Sequence, residues 1–281
     1  EQTILLAQVD EAFSYQLFTK QQSAIMNTEL TPKELPLWVT TKHPHLAGFK
    51  AFTVNLANND IKQWLKQPLW VAPVPKADSK TTQTPAIARV QFGSVLDSLY
   101  TQNIKDANEA KDLGATITEQ NISIKLWAPT AKEVKVLLFN QDKSPVKDGT
   151  ITLTEDSHTG IWQTHIDNKY AGFYYQYQLE VFHPATWQYE NIITTDPYSL
   201  SLSTNSKHSQ IIDLNDVSTQ PLNWQQQKRP KLNAPEDAVL YEVHIRDFSA
   251  SDNKIDNLDY RGKYKAFSQQ ASYAMEHLLS L

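Results

Sequence analysis

At 281 residues with a formal net charge of −5, the chain exceeds one typical domain and gives no electrostatic reason to expect nucleic acid or an anionic membrane as partner. It contains no cysteine, which excludes a disulfide framework and any cysteine-ligated metal, and no run approaches the ~18 apolar residues of a membrane span. Aromatic residues reach 10%, with seven Trp, a content that suits sugar-stacking surfaces and β-sandwich cores alike.

Residues 1–114 read as a β-rich module. TILLAQVD, FSYQLFTK, LPLWVT, FKAFTVNL, PLWVAPV and AIARVQF are runs of strand length bounded by Pro, Asn, Gly or Lys, the spacing of a β-sandwich. NNDIKQWLKQ predicts a short helix capped by Asn59 or Asp60. SVLDSLYT and NIKDANEAKDLG predict further helix, stopped by Gly114. Residues 115–216 read as a second sandwich, of immunoglobulin size: Ile122, Ile124 and Leu126 alternate with Ser123 and Lys125, EVKVLLF follows, KDGT predicts a hairpin turn, and TITLTE, GIWQTHID and FYYQYQLEVF complete the set. Residues 217–237, rich in Pro and Asn toward their end, read as a linker.

The last stretch, 238–281, changes character. Val239, Tyr241, Val243 and Ile245 alternate with Glu242, His244 and Arg246, the period of a strand with two different faces. After a polar loop, Phe267, Ala271, Ala274, Met275, Leu278 and Leu279 recur at helical spacing. Strand, loop and amphipathic helix are the first half of a βαβ crossover, and the chain stops inside LLSL without a stop signal. The expectation is the opening of a larger α/β domain, left incomplete. The start, EQTILLAQVDEAF, lacks the basic residues and cleavage site of a signal peptide, so an exported protein with this start has already lost its signal.

No phosphate-cradling GxGxxG or GxxxxGK[ST] and no nucleophile elbow GxSxG occurs. His43 and His45 flank a proline with no third ligand nearby and read as turn residues. Asp252, Asp256 and Asp259 lack the central glycine and closing glutamate of a calcium loop and read as solvated. Glu242 and Asp247 belong to one strand, which cannot assemble the two carboxylates about 5 Å apart that retaining glycoside cleavage needs. Glu242 reads instead as a structural partner of Arg246.

LWAPTAKEVKVLLF, GIWQTHID, AGFYYQYQLEVFHP, TTDPYSLSLSTNSKHSQIIDLND, VLYEVHIRDFSASD and RGKY resemble, in order and spacing, the N-terminal half of bacterial pullulanases, the α-1,6-glucosidic debranching enzymes of glycoside hydrolase family thirteen. HPHLAGFKAF and SVLDSLYT extend the resemblance through the first module. It implies a mainly β fold: two consecutive immunoglobulin-like β-sandwich modules, the second a carbohydrate-binding module of family forty-eight, then the first βα unit of a truncated (β/α)₈ barrel beginning at Val239. The family's catalytic Asp, Glu and Asp motifs are absent from this sequence, so no catalytic residue carries over and the chain is expected to be inactive. The implied partners are α-glucans (pullulan, starch, glycogen) and the barrel itself; no cofactor or metal is implied for this chain, while calcium stays open for the parent enzyme. The implied location is extracellular or at the cell envelope. Trp187 holds the place of a glucan-stacking loop tryptophan and Gln178 that of a strand lysine that often assists it. Asn140, Gln141 and Asp142 stand where the second stacking tryptophan is expected. Trp127 and Trp162 match core positions. The rival readings are a stand-alone glucan-binding or adaptor protein, and a fragment of a glycogen debranching or branching enzyme.

Overall fold

The computed structural model describes residues 3–21, 24–56, 58–78, 85–103, 105–183, 185–228 and 231–281. The chain divides into two compact units, Glu1–Gln220 and Pro221–Leu281, and each is taken by itself.

The first unit begins with β1 (Thr3–Leu6), β2 (Phe13–Gln21), β3 (Ala24–Lys33), α1 (Leu37–Lys42), β4 (Lys50–Val54), α2 (Asn58–Trp64), β5 (Trp70–Pro75), β6 (Ala88–Arg89) and α3 (Gly93–Tyr100). The strands form one antiparallel sheet in the order β1-β4-β3-β2-β5-β6. Phe13, Tyr15 and Leu17 alternate inward along β2, and Ile61, Trp64 and Leu65 meet them from α2 and the turn after it, with Leu96 and Leu99 of α3 at the margin. The strand period of two and the helix period of three to four thus converge on one core. The module is mainly β as expected, but its strands lie in one sheet and not the two of a sandwich; helices supply the opposite layer.

Two local expectations for this module fail. LPLWVT is the helix α1 and not a strand: Leu37 and Trp38 are exposed while Val39 alone is buried, so the apparent alternation has no buried face. The Thr40 and Thr41 hydroxyls donate to the Leu37 carbonyl at 3.0 and 2.9 Å, completing the turn. NIKDANEAKDLG contains only a single 3₁₀ turn, Ala107–Glu109, among its described residues. The Asp106 carboxylate accepts from the Gln102 and Asn103 amides at 3.1 and 2.7 Å, a local side-chain bond that competes with helix formation. Gly114, expected to stop a helix, opens the strand Gly114–Ile117.

The second module is a sandwich of two sheets. One contains β10 (Pro145–Thr152), β9 (Glu133–Phe139), β13 (Tyr174–His183) and β14 (Gln188–Thr194) in that order, with β15 (Ser209–Gln210) also on β13; the other runs β11 (Thr154–Asp156), β12 (Ile161–Ile166), β8 (Ile122–Trp127), β7 (Gly114–Ile117). Ile122, Ile124 and Leu126 from one sheet and Val134, Val136, Leu138, Tyr175 and Tyr177 from the other fill the core. Trp162 is buried there, its indole N–H on the Ala128 carbonyl at 3.0 Å. Trp127, expected in the core, is only half-buried: it donates to the Thr159 carbonyl at 3.0 Å and lines a cleft of about 410 Å³ with Tyr177, Leu179 and Pro197. KDGT is not the hairpin turn. It lies within β10, where the register with β9 shifts between Pro145 and Thr150, and the extra residues are absorbed as a bulge. The turn is Asn140–Ser144, closed by Asn140 N–H to the Ser144 carbonyl at 2.8 Å and fastened by two hydrogen bonds from Ser144 to the Asp142 carboxylate.

At the sandwich edge, buried Asp196 accepts from the Tyr175 hydroxyl at 2.6 Å, the Tyr177 hydroxyl at 3.2 Å and the Tyr198 amide at 2.8 Å. Its own amide donates to Ser209 of β15 at 2.8 Å. Burial pushes its carboxyl above the ordinary value of 3.8, opposed by the hydrogen bonds. A carboxyl raised on folding contributes stability that is fully present below its unfolded value and is lost as pH rises through the folded one. The stability of the wild type relative to Asp196→Asn is therefore expected to fall as pH rises from 4 toward neutrality, as read from paired thermal melts. A difference that is flat or grows with pH would contradict this.

In Pro221–Leu281, α4 (Ile245–Ser249) and α5 (Tyr273–Leu279) are joined by 3₁₀ turns, including Leu258–Tyr260 and Tyr264–Ser268. The strand expected over Val239–Phe248 is not formed: among the described residues Val239–His244 enters no ladder, and Ile245 begins α4. A strand is stabilised by a neighbour that takes its N–H and C=O groups, and among its described residues this unit offers none. The long terminal helix is divided as well. Ser272 accepts from the Met275 amide at 3.2 Å, and the Asp252 carboxylate from the Ala274 amide at 3.1 Å, so two of the orphan amides of α5 are satisfied at a start well inside the expected run. Asp252, expected in a solvated loop, is thus buried as a helix cap. Among the described residues no three His, Asp or Glu side chains gather as a metal site, and no helix is long and apolar enough to cross a membrane.

Candidate functional site

The β13–β14 hairpin carries the expected site. Along β13, Tyr175 and Tyr177 point into the core, which leaves Gln178, Glu180 and Phe182 on the outward face. Tyr189 lies directly opposite Phe182, and their rings meet edge to face at 5.8 Å. The Lys132 ammonium stands 3.5 Å from the centre of the Tyr189 ring, and burial lowers its pKa against the pull of Glu180.

Trp187 closes the hairpin loop. Its amide donates to the His183 carbonyl at 3.0 Å and its φ is +60°, a left-handed conformation that costs a bulky L-residue about 1–2 kcal/mol. The Thr186 hydroxyl donates to Glu190 on the returning strand. One face of the indole lies against Trp70 of the first module, centroids 5.6 Å apart and planes 7° from parallel, while Phe182 meets its edge at 6.4 Å. Trp187 is still 52% exposed, as a ring backed on one side and open on the other should be. Gln178 shares the outward face, flanked by Lys135 and Ile193. It lies four residues up the strand from Phe182, about 13–14 Å at the usual rise. The two sequence-chosen residues therefore share a surface without touching.

Trp70 belongs to the outward face of its own sheet, because Val71 and Leu69 beside it are core residues. It is the register partner of Phe18 and stacks on it at 5.4 Å and 22°. Phe18, Trp70 and Trp187 form a ladder that crosses from one module to the other. A second set of contacts fastens the same junction. Lys66, on the turn after α2, pairs with Glu155 of β11, their side chains 8% and 19% exposed, and its ammonium lies 5.2 Å from the Trp162 ring centre. Lys62 donates to the carbonyls of Ser157 and His158 and lies over Tyr100.

Sequence reasoning missed Phe182, Tyr189 and Trp70. Phe182 is recoverable from the alternation of β13 once Tyr175 and Tyr177 are assigned inward, whereas Tyr189, on β14, needs the hairpin register that sets it opposite Phe182. Trp70 alternates with core Leu69 and Val71 in PLWVAPV, and a tryptophan on the wrong face of a half-buried strand marks a surface with something to cover.

Comparison with known proteins decides what the modules are. Residues 5–98 match the pullulanase N2 domain, and residues 112–199 match carbohydrate-binding module 48, the isoamylase N-terminal domain. The chain carries these two pullulanase N-terminal domains. The pullulanase of Klebsiella pneumoniae is 33% identical over 90% of the chain, and pullulanase 1, chloroplastic, of Arabidopsis thaliana is 32% identical over 88%. A crystal structure of the Klebsiella pneumoniae pullulanase complexed with maltotriose superposes with a TM-score of 0.83 at 28% identity over 99% of the chain. The chain spans 22% and 24% of the length of the two curated pullulanases and 27% of that crystallised one. Phe18, Lys66 and Trp70 fall in the pullulanase N2 match, and Glu155, Trp162, Gln178 and Trp187 in the module 48 match. The ladder and the ion pair are therefore contacts between two pullulanase domains.

Proposed function

We propose that the chain is the non-catalytic, α-glucan-binding part of a pullulanase-like enzyme, with residues 1–114 and 115–216 acting as a docked pair and residues 238–281 opening the catalytic domain. The parent reaction is retaining hydrolysis of α-1,6-glucosidic bonds in pullulan, starch or limit dextrins, through two carboxylates that this chain does not supply. The parent works outside the cytoplasm or at the cell envelope. The observation that carries the proposal is Trp187: a large ring, half exposed on a loop, with one face already backed by Trp70. Its other face suits the apolar C–H surface of a sugar, which displaces water from a rigid ring at little conformational cost. Gln178 reaches only a glucan that runs up the strand from that ring.

A second reading has a specific observation in its favour. The stack on Trp70 would give Trp187 a purely structural place as an inter-module contact. Calorimetric titration of the 281-residue chain with maltotriose separates the two. Binding is expected, with Trp187→Ala about ten-fold weaker, equivalent to about 1.4 kcal/mol. The same samples should release no reducing ends from pullulan. Equal affinity for wild type and Trp187→Ala would leave only the structural reading, and hydrolysis above a blank would sink the non-catalytic assignment.

A further inference from the structure

We propose that Trp70 of the first module is the positioning residue for the glucan-stacking face of Trp187, so that the binding surface on the second module is complete only with the first module docked. The proposal rests on the glucan-binding reading of Trp187 and adds a residue from outside the carbohydrate-binding module.

Three observations lead there. The Trp187 ring sits at the tip of a hairpin on a left-handed backbone, so its orientation depends on what its side chain touches. The near-parallel contact is Trp70, and Phe182 supplies only an edge. Trp70 is itself fixed, paired in register with Phe18 across β2 and β5 and stacked on it. With stacked neighbours in both Phe18 and Trp187, it acts on a ligand through Trp187. A ring held before the ligand arrives loses less side-chain freedom on binding, and that preorganisation appears as affinity. The junction also has independent fastenings in Lys66 with Glu155 and Trp162, and Lys62 with the Ser157 and His158 carbonyls. Removing the Trp70 ring therefore leaves the modules docked, and a positioning effect can be told from undocking.

The test uses the full 281-residue chain with Trp70→Ala, Trp70→Phe and Trp187→Ala, titrated with maltotriose, alongside the circular-dichroism exciton signal of the parallel indoles and a thermal melt. Trp70→Ala is expected to lose the exciton signal, keep its melting temperature within a few degrees and bind about three- to ten-fold more weakly. Trp70→Phe, which restores a flat ring but no second indole, is expected to recover the affinity without the signal. Trp70→Ala binding as tightly as wild type while Trp187→Ala is weakened would overturn the positioning role and leave the glucan reading standing. A loss in Trp70→Ala that Trp70→Phe does not recover, with a melt lowered to match, would overturn it in favour of a structural role. No binding by wild type would defeat both readings.

Discussion

Glu155→Ala is expected to destabilise the first unit by about 3 kcal/mol, because it leaves the Lys66 ammonium buried without its carboxylate. Lys66 is the more enclosed partner, at 8% side-chain exposure against 19% for Glu155, so the two halves of the pair are not equivalent. Lys66→Met keeps the apolar stem over Trp162, removes the charge that is costly to bury and leaves a carboxylate nearer to water; about 1 kcal/mol is expected. The double variant Lys66→Met with Glu155→Leu should lie within about 1 kcal/mol of wild type, since an apolar pair of similar size commonly replaces a buried ion pair at little cost. Urea unfolding midpoints give all three values. Lys66→Met costing as much as Glu155→Ala would refute the asymmetry.

Gly160→Ala should be nearly as damaging, at about 3 kcal/mol. Gly160 has φ +69°, and a Cβ there would stand 2.7 Å from the Pro129 Cβ and 3.1 Å from the Tyr100 ring. The left-handed backbone accounts for about 1–2 kcal/mol and the overpacking for a similar amount. Neither neighbour can yield: Pro129 is a ring fixed to the backbone, and Tyr100 is 1% exposed, its hydroxyl pushed up to about 12 by burial. Gly172→Ala is the control. Its φ is +82° but its nearest neighbour is the Gln141 amide nitrogen at 3.6 Å, so only the backbone cost of about 1–2 kcal/mol applies. Equal thermal shifts in the two variants would show that contact with Pro129 and Tyr100 adds nothing.

The sequence revealed most where a strand has one buried face. Ile122, Ile124 and Leu126 alternate cleanly because Ser123 and Lys125 face away from them, and the strand follows. β3 carries no such signal: NTELTP within it has polar residues on both sides of Leu30, yet it pairs with β2 and β4, and pairing is a property of its neighbours. Val239–His244 erred the other way, having the period of a strand with no partner to receive it. LPLWVT and the KDGT turn failed through local chemistry, threonine hydroxyls in one and the Asp142 carboxylate in the other. For the site, Trp187 could be singled out on its loop, but the ring that backs it lies more than a hundred residues earlier in the chain. No local period encodes such a contact.

The left-handed backbone at Trp187 also sets the terms on which this loop can diverge. Glycine would relax that conformation at no steric cost, and asparagine at little, so mutation in a lineage where the ring has lost its use meets no barrier and ends at a more relaxed turn. An indole persisting at a position whose backbone favours its loss is kept by selection on the ring. Among homologous hairpins, tryptophan and a flat partner at the position of Trp70 should be lost together, with glycine or asparagine at the tip marking the chains that have abandoned the surface.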